Sequence, residues 1–286
     1  MESVRIGIIN KTINMLDFLL AEDAGIYTSH GLDVEFDLLG GLRSIEALLA
    51  GELDIIVSIG ATARAIMQRD APLKVVQLIH SNGPHWVMGR AGVASVHDLK
   101  GGSVQAGDKG TEPDVMVRKW LTKNGLEPDV DVELTYEKAH SGWTFHGPAP
   151  VEDGAIARTL EQEALEDKGF TTLVELCTEF PDTLIHGLVV KETTLVERPD
   201  MVRNLIRSHR EVSAWINDGR EETVQFIERQ WSVSRERAER AVRSLHGVFV
   251  ARMNPKEFAT IIQSSSVAVG LPPITVDRLV AHIELD

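Results

Sequence analysis

The sequence predicts an α/β fold in which mainly parallel sheets are flanked by helices and are followed by a helical C-terminal region. Short apolar segments alternate with helical segments over the first ninety residues, and the same alternation starts again after about residue 94. Strands that are separated by helices of this length favour right-handed β-α-β units and a parallel sheet. From Pro199 onward the pattern is almost wholly helical.

The first part of the chain shows both periodicities on which this prediction depends. Val4–Ile9 is a short apolar run, which is typical of a strand buried on both faces, whereas Leu32–Leu39 alternates at the period of a half-buried strand. Between them, apolar residues at helical spacing predict a helix that ends near Gly25. The further predicted elements are a helix at Ser44–Ala50 closed by Gly51, a strand at Leu53–Ile59, a helix at Ala61–Arg69 and a strand at Leu73–Ile79.

The second part repeats the alternation with shorter strands. After the loop 107–110, Thr111–Asn124 is predicted to be a helix because Pro113 lies in its first turn and Gly125 closes it. The other predicted elements are strands at Ser103–Ala106, Val132–Tyr136, Leu173–Cys177 and Gly187–Lys191, a helix at Gly154–Lys168, and C-terminal helices at Pro199–Asn217, Glu221–Trp231, Ser234–Leu245, Pro255–Val269 and Thr275–Ile283.

Composition excludes several classes of function. The 286 residues carry a formal net charge of −14, so the chain lacks the basic surface that a general nucleic-acid binder needs, and anionic membranes would repel it. No apolar stretch approaches the length of a membrane span, so we expect no membrane insertion. The single cysteine, Cys177, excludes an intrachain disulfide and is predicted to be a small core residue rather than a nucleophile.

Several short segments, in this order and spacing, resemble the type II periplasmic binding proteins. The branch concerned includes substrate-binding proteins for nitrate, sulfonates, taurine and thiamine pyrimidines. The resemblance extends over essentially the whole chain. It is carried by 24–27 (Ala-Gly-Ile-Tyr), 31–34 (Gly-Leu-Asp-Val), the Gly40-Gly41 pair, 47–54 (Ala-Leu-Leu-Ala-Gly-Glu-Leu-Asp), 98–101 (Asp-Leu-Lys-Gly) and 196–202 (Val-Glu-Arg-Pro-Asp-Met-Val).

The resemblance implies a two-lobed fold with a ligand cleft and a hinge between the lobes. Lobe I would comprise residues 1–93 and 186–286, and lobe II residues 94–185. In open α/β sheets the carboxyl ends of the strands and the N-termini of the helices face the ligand crevice. Helix N-termini there suit an anion or a carboxylate. The partners implied are a small-molecule ligand and the membrane component of an ABC transporter.

In lobe I the candidate ligand-binding residues follow the ends of predicted strands. Asn10, Lys11 and Thr12 follow the first strand, and Lys11 could pair with a ligand carboxylate or be an ordinary solvated lysine. The remaining lobe I candidates are Gly40, which allows close backbone approach, Ser58 and Gly60 at a strand-to-helix junction, and His80 and Ser81 at the end of the fourth strand.

In lobe II the turn before the helix at residue 111 is where this family usually binds the anionic end of its ligand. The candidates in this turn are Gly107, Asp108, Gly110 and Thr111. Acidic residues crowd the same turn, namely Asp108, Glu112 and Asp114. We therefore expect a sulfonate or nitrate ligand less than an amine-bearing or neutral one.

The segment 137–147 is the most unusual stretch of the chain, because it is long, aromatic and histidine-bearing. A loop of this kind is usually functional or disordered. Glu137 and His140 are candidate ligand contacts, and His140, His146 and His80 are the candidate catalytic residues. The alternative is that Trp143 and Phe145 pack the segment onto lobe II and leave the histidines in solvent.

The ten histidines show no compact metal-ligand spacing, so no metal site and no cofactor is predicted. Five of the histidines are predicted to be surface or helix-end residues, namely His30, His97, His209, His246 and His282. Gly-x-Ser-x-Gly, P-loop and Gly-x-Gly-x-x-Gly motifs are absent.

The sequence is compatible with two functions. One is a substrate-binding component of an ABC-type importer for a small polar organic solute, which closes on its ligand like a hinge. The other is a cytoplasmic enzyme on the same fold, of a decarboxylase, lyase, isomerase or hydrolase type, acting on a small carboxylate or heterocycle. Met1-Glu2-Ser3 leads directly into the first strand. We therefore expect a periplasmic or extracytoplasmic location if a signal was removed, and otherwise a cytoplasmic one.

Overall fold

A computed structural model of the chain describes residues 1–107, 109, 111–136, 149–181 and 184–285. The chain divides into two compact units. The first unit comprises Met1–Asn82, Asp182–Phe226 and His246–Asp286, and the second comprises Gly83–Pro181 and Ile227–Leu245. The lobe boundaries expected from the sequence remain a prediction. They placed the segment Ile227–Leu245 in lobe I, whereas it packs with the second unit.

Strands and helices alternate along most of the chain, as the α/β prediction requires. The strands are β1 (Glu2–Ile8), β2 (Leu32–Leu38), β3 (Ile55–Ser58), β4 (Leu73–Ser81), β5 (His85–Gly89), β6 (Ser103–Gln105), β7 (Glu133–Thr135), β8 (Gly154–Arg158), β9 (Thr171–Glu175), β10 (Leu184–Lys191) and β11 (Phe249–Arg252). The helices are α1 (Leu16–Asp23), α2 (Ile26–Ser29), α3 (Gly41–Ala50), α4 (Ile59–Arg69), α5 (Glu112–Lys123), α6 (Thr159–Glu166), α7 (Leu176–Glu179), α8 (Glu192–Glu197), α9 (Pro199–Asn217), α10 (Glu221–Trp231), α11 (Arg235–Ser244), α12 (Phe258–Val269) and α13 (Val276–Leu279).

The first unit is built on a six-stranded sheet with the order β11-β4-β10-β3-β1-β2. β1 is parallel to β2 and β3, whereas β10 is antiparallel to β3 and β4, and β11 is antiparallel to β4. Because β10 opposes both of its neighbours, β1 to β4 all run in the same direction. A buried cluster that includes Leu48, Ile56, Leu78 and Phe258 joins this sheet to α3, α4 and α12.

A buried polar group holds α1, α2 and α9 of the first unit together. The Nδ1 atom of His209 lies 3.0 Å from the carboxylate of Asp17, and its Nε2 atom lies 3.1 Å from the hydroxyl of Tyr27. Phe18 contacts the His209 ring edge-on at 4.5 Å. Since His209 is buried, the expectation that it is a surface or helix-end residue is wrong. Burial raises the pKa of Tyr27, and the nearby Asp17 carboxylate acts in the same direction.

The second unit is built on a five-stranded sheet with the order β7-β6-β8-β5-β9. β6 is parallel to β7 and β8, and β5 is antiparallel to β8 and β9. Val104, Val117, Trp120 and Ile156 belong to the apolar cluster that packs α5 on this sheet.

The structure corrects the prediction at several elements. Gly154–Arg158 is a strand and not the start of a helix, because its small apolar residues are buried between β6 and β5, and burial within a sheet outweighs helix propensity. The strands β5 and β11 were not predicted, and they are only five and four residues long. The predicted last helix is a single turn, since Val280 instead bridges to Val75 of β4.

Arg198 connects the N-terminal strand, the start of β3 and the start of α9 within the first unit. Its Nε atom donates to Glu2 at 2.7 Å, a terminal nitrogen donates to Asp54, and another donates to the Ser3 carbonyl at 2.7 Å. Asp54 also accepts from the backbone N–H of Arg5 at 2.9 Å. The arginine and Asp54 are each only partly exposed, so this ion pair is better shielded than a surface pair.

We expect Arg198→Met to lower the free energy of unfolding by about 2 kcal/mol, because it leaves two partly buried carboxylates without their cation. Urea unfolding followed by circular dichroism measures the change. The matched control is Arg203→Met, since Arg203 pairs with the exposed Asp200 and should cost about 0.5 kcal/mol or less. Equal losses in the two variants would show that the Arg198 network does not hold the first unit together.

Candidate functional site

The lobe I candidates lie at one edge of the first unit's sheet. Because β1 to β4 run in the same direction, their carboxyl ends meet there, together with the amino ends of β10 and β11. We call this the unit-1 edge, and it carries Asn10, Lys11, Thr12, Gly40, Ser58, Gly60, His80 and Ser81. The structure brings these predicted residues to a common edge, and their contact with a ligand stays a prediction.

His80 has two ring neighbours at this edge, His186 and Phe249. Its Nδ1 atom lies 3.1 Å from Nδ1 of His186, and the two rings stack at 5.2 Å. On β11, the Phe249 ring stacks on His80 at 5.1 Å with an angle of 7° between the ring planes. His80 and His186 are both buried. One imidazole must donate and the other accept in this bond, so the pair has a defined tautomer arrangement at the strand ends.

The loop after β1 is folded onto itself by its own side chains. The Oδ1 atom of Asn10 accepts from the backbone N–H of Thr12 at 3.1 Å and from its hydroxyl at 2.7 Å. Lys11 is exposed between them. Gly40 lies beside this loop, where an added Cβ would be 3.3 Å from the Ile9 side chain. The side chain of Asn10 therefore shapes the loop that presents Lys11.

Ser58 and Gly60 lie at the junction of β3 and α4. Ser58 is the N-cap residue, and its carbonyl accepts from the hydroxyl of Thr62 at 2.7 Å. Ser58 is paired in register with His186, which places the start of α4 next to the histidine pair. The first N–H groups of a helix have no partner within the helix, and they attract negative charge or oxygen acceptors. This junction can therefore donate hydrogen bonds to a ligand.

In the second unit, the carboxyl ends of β6, β7 and β8 share one edge, which we call the unit-2 edge. Gly107 follows β6 there with a φ of +77°, a conformation that favours glycine, and Thr111 is the N-cap of α5. The other candidates of this lobe, Asp108, Gly110, Glu137, His140 and His146, lie outside the described residues.

Asp114, one of the acidic residues near this turn, has its carboxylate paired within the fold. Asp114 is buried, and its carboxylate accepts from Nε of Arg118 at 2.9 Å and from the Tyr136 hydroxyl at 3.3 Å. Arg118 also donates to Asp129 at 2.8 Å, and these contacts hold its pKa above the usual value. Lys109 lies over the Tyr136 ring at 5.6 Å. Because Asp114 is neutralised within the fold, it does not repel an anion at the N-terminus of α5.

His85 is the buried histidine of the unit-2 edge. Its Nδ1 donates to the Gly83 carbonyl at 2.9 Å, and it pairs in register with Arg158 at the end of β8. Burial and then the positive charge of Arg158 lower the pKa of His85 to about 4. Arg158 is also buried, where it pairs with Glu161 at 3.0 Å in the first turn of α6. His85 is therefore neutral at physiological pH.

Cys177 lies in α7 immediately after β9, and not within a strand as the sequence predicted. Its thiol donates to Glu175 at 3.4 Å. Burial and then the negative charge of Glu175 raise the pKa of the Cys177 thiol to about 11. A thiolate is the reactive form of cysteine. The surroundings of Cys177 thus oppose nucleophilic chemistry near neutral pH.

Sequence reasoning missed His186 and Arg158 as edge residues. His186 directly precedes the predicted strand at Gly187–Lys191, but its place at the edge depends on β10 being antiparallel to β3, which the sequence does not show. Arg158 was hidden inside a predicted helix. A basic residue that ends the apolar run 154–157 was the available signal for a strand end.

The comparisons with known proteins agree with this architecture. A family model described as NMT1/THI5 like matches residues 12–218, which is more than half of the chain. The chain belongs to the NMT1/THI5-like family. A search of curated proteins gives no match.

Solved structures show the same fold at low sequence identity. The alkanesulfonate-binding protein SsuA from Xanthomonas axonopodis pv. citri, bound to MOPS, has a TM-score of 0.77 and 15% identity, with 98% of each chain covered. A Candida albicans protein with the generic periplasmic binding protein fold has a TM-score of 0.72 and 15% identity over 100% of this chain and 99% of its own. A zinc-bound ligand-binding component of an ABC-type import system from Staphylococcus aureus has a TM-score of 0.71 and 14% identity, covering 99% and 97%. The predicted periplasmic-binding-protein-like fold is therefore confirmed.

The residues that the structure describes include neither a candidate membrane span nor a candidate metal-binding cluster. None of the described helices is both long enough and apolar enough to cross a membrane. Within the same residues, no group of three or more His, Cys, Asp or Glu side chains is arranged to hold a metal ion.

The pKa of His85 predicts a loss of stability in acid. As the pH falls below the ordinary value of 6.5, the unfolded chain takes up a proton that the folded chain refuses until about pH 4. The wild type should therefore lose up to about 3 kcal/mol relative to His85→Gln between these pH values. Urea unfolding at a series of pH values measures this difference. His97→Gln, at an exposed histidine, is the control. If the free energy of unfolding falls with pH equally in the wild type and in His85→Gln, the prediction is contradicted.

The thiol of Cys177 should react slowly in the native protein. With a pKa about two pH units above normal, its thiolate fraction at pH 8 is lower by about 100-fold, so iodoacetamide should label it about 100-fold more slowly than in urea. Glu175→Gln should speed native labelling, because it removes the negative charge that raises the pKa. Native labelling as fast as that of the unfolded chain would mean that Cys177 is an available nucleophile.

Proposed function

We propose that this chain binds a small polar organic solute and acts as the substrate-binding component of an ABC-type importer. The observation that carries the proposal is the unit-1 edge, where four strand ends gather hydrogen-bonding groups. Open α/β sheets bind ligands at the carboxyl ends of their strands. The NMT1/THI5-like match and the importer component among the similar structures support this function.

The groups at the unit-1 edge favour a ligand that is recognised by hydrogen bonds. Ser58 and the start of α4 offer donors, the His80–His186 pair offers an imidazole surface, and Lys11 is the cation of the group. In the second unit, Arg118 neutralises Asp114, so this carboxylate does not repel an acidic ligand. We infer that the ligand is a neutral or singly negative molecule with several oxygen or nitrogen acceptors.

Three finer statements belong to the same proposal. The resemblance implies a ligand cleft and hinge between the lobes, closure of that hinge on the ligand, and a periplasmic or extracytoplasmic location with a membrane-component partner. Binding proteins that work by hinge closure present their closed form to that partner.

A thermal-shift screen tests the proposed binding. A ligand that binds the native state raises the melting temperature in a concentration-dependent way. Sulfonates, carboxylates, amino acids and pyrimidines would be screened with protein that has been unfolded and refolded to remove any co-purified ligand. We expect at least one saturable shift. Folded, ligand-free protein that responds to no class would reject the proposal.

Substitutions at the edge residues test the placement of the site. Ser58→Ala and Thr111→Ala remove partly exposed hydroxyls and should weaken binding of the solute found in the screen by about tenfold, since each loses a ligand hydrogen bond. His80→Gln should weaken it further, with circular dichroism showing whether the buried site still folds. His97→Ala is the exposed control. Unchanged affinity in the Ser58 and Thr111 variants would mean that the ligand binds elsewhere.

The fate of the bound solute separates import from catalysis. A binding component returns its ligand unchanged, whereas an enzyme on this fold would convert it. Mass spectrometry after long incubation at high protein concentration measures the outcome. Recovery of the unchanged solute is expected. Conversion that is lost in His140→Ala or His146→Ala would replace the transport function with an enzymatic one.

A further inference from the structure

The second unit contains a pocket, and none of the residues that line it was predicted to be a site residue. The pocket has a volume of about 440 Å³, which is within the range of small-molecule sites. Its walls are Trp86 from β5, the first two turns of α6, and the second half of α11. All of these elements belong to the same compact unit.

Thr159, in the wall of this pocket, carries a buried hydroxyl without a hydrogen-bond partner among the described residues. Thr159 lines the pocket as the first residue of α6, and its side chain is 94% buried, since only 6% is exposed. Its Oγ1 atom has no hydrogen-bond partner within the described part of the chain. Buried polar atoms of native proteins are nearly always paired. The Thr159 hydroxyl lies behind the pocket wall, so an occupant of the pocket would reach it only after the Thr159 side chain turns.

The acidic wall of the pocket is already neutralised. Glu163 accepts from Arg237 at 2.7 Å and from Arg240 at 2.9 and 3.0 Å, and these arginines hold its pKa below the usual value. Arg240 also donates to Glu236 at 2.7 Å. Glu163 is therefore not available to attract a cation, and the donors of Arg240 are directed at carboxylates of the protein.

Arg243 gives the lining of the pocket its net positive charge. It lies in the last turn of α11, it is exposed, and it lines the pocket. No carboxylate among the described residues pairs with it. With Glu163 balanced by Arg240, the lining has an excess of one positive charge. The N–H groups at the start of α6 add to the positive potential.

Trp86 gives the pocket a flat apolar wall. The side chain is partly buried, because it packs against the cluster of Met88, Ala157, Leu165 and Phe170. Trp86 also contributes to the lining of the pocket. Aromatic rings favour stacked or edge-on contact with other rings. The wall therefore suits a planar, unsaturated group.

We propose that this pocket binds a small aromatic monoanion. The anionic group would pair with Arg243, the Thr159 side chain would turn so that its hydroxyl donates to that group, and the ring would lie against Trp86. None of the lining residues belongs to the unit-1 edge, and the proposal does not depend on the solute-binding function proposed above.

Benzoate is the probe that tests this proposal. Titration into the full-length, ¹⁵N-labelled protein should shift the indole N–H signal of Trp86 in a saturable way, with that signal assigned by its loss in Trp86→Phe. Cyclohexanecarboxylate tests the need for the ring, benzyl alcohol tests the need for the charge, and acetate tests for an anion site alone. We expect each of these to bind more weakly than benzoate.

Two conservative variants locate the site. Arg243→Gln should weaken benzoate binding by about tenfold, as expected for loss of one charge-assisted hydrogen bond. Thr159→Val keeps the shape of the side chain and should weaken binding by a smaller factor. Arg210→Gln is the matched control, because Arg210 is exposed on α9 and has no ion pair in the described chain. Ser58→Ala should not change benzoate binding, which separates this site from the proposed solute site.

Three outcomes would overturn the proposal. The first is the absence of a saturable shift of the Trp86 signal. The second is equal weakening by Arg243→Gln and Arg210→Gln, which would indicate general electrostatic attraction. The third is a benzoate affinity that falls in Ser58→Ala but not in Arg243→Gln, which would place the probe in the solute site.

Discussion

The position of β10 between β3 and β4 is the constraint on which the candidate site of the first unit depends. This strand closes the sheet by pairing antiparallel with both neighbours. It approaches so closely that a Cβ at Gly187 would be 2.6 Å from the Gln77 carbonyl and 2.9 Å from Ile59. Only glycine fits there. The same close approach puts His186 beside Ser58 and His80, so the histidine pair follows from the packing of one glycine.

Several residues in the segments that carry the family resemblance stabilise the fold of the first unit. Asp54 ends the run 47–54, and Arg198 directly precedes α9 in the segment 196–202, yet the two are joined by an ion pair. Arg198 also holds Glu2 at the start of β1. Gly31 and Gly51 adopt positive φ where a helix ends and the chain turns. These positions build the scaffold of the first unit, and they do not themselves select a ligand. The resemblance is for that reason more informative about the fold than about the solute.

The sequence predicted most elements because their periodicity is local. The helices Pro199–Asn217 and Glu221–Trp231 begin and end where predicted, since amphipathic spacing extends over several turns. The strands β5, β8 and β11 were missed because their identity depends on neighbours distant in sequence. The site was predictable in part for the same reason. Polar residues that follow strand ends could be recognised from the sequence. His186 lies at its edge only because β10 pairs antiparallel with β3, and Arg158 was missed because β8 was predicted to be part of a helix.

Net charge is a poor guide to the ligand of this acidic chain. Its carboxylates are extensively paired where they approach the second unit's helices, as Asp114 is with Arg118, Glu161 with Arg158, and Glu163 with two arginines. A paired, partly buried carboxylate contributes little field to a site nearby, because its cation cancels it at distances beyond a few ångströms. The charge that a ligand meets is therefore set by local groups, such as Lys109 over the Tyr136 ring and the N–H groups at helix starts. An acidic protein of this kind can bind an anion, although a count of its residues argues against it.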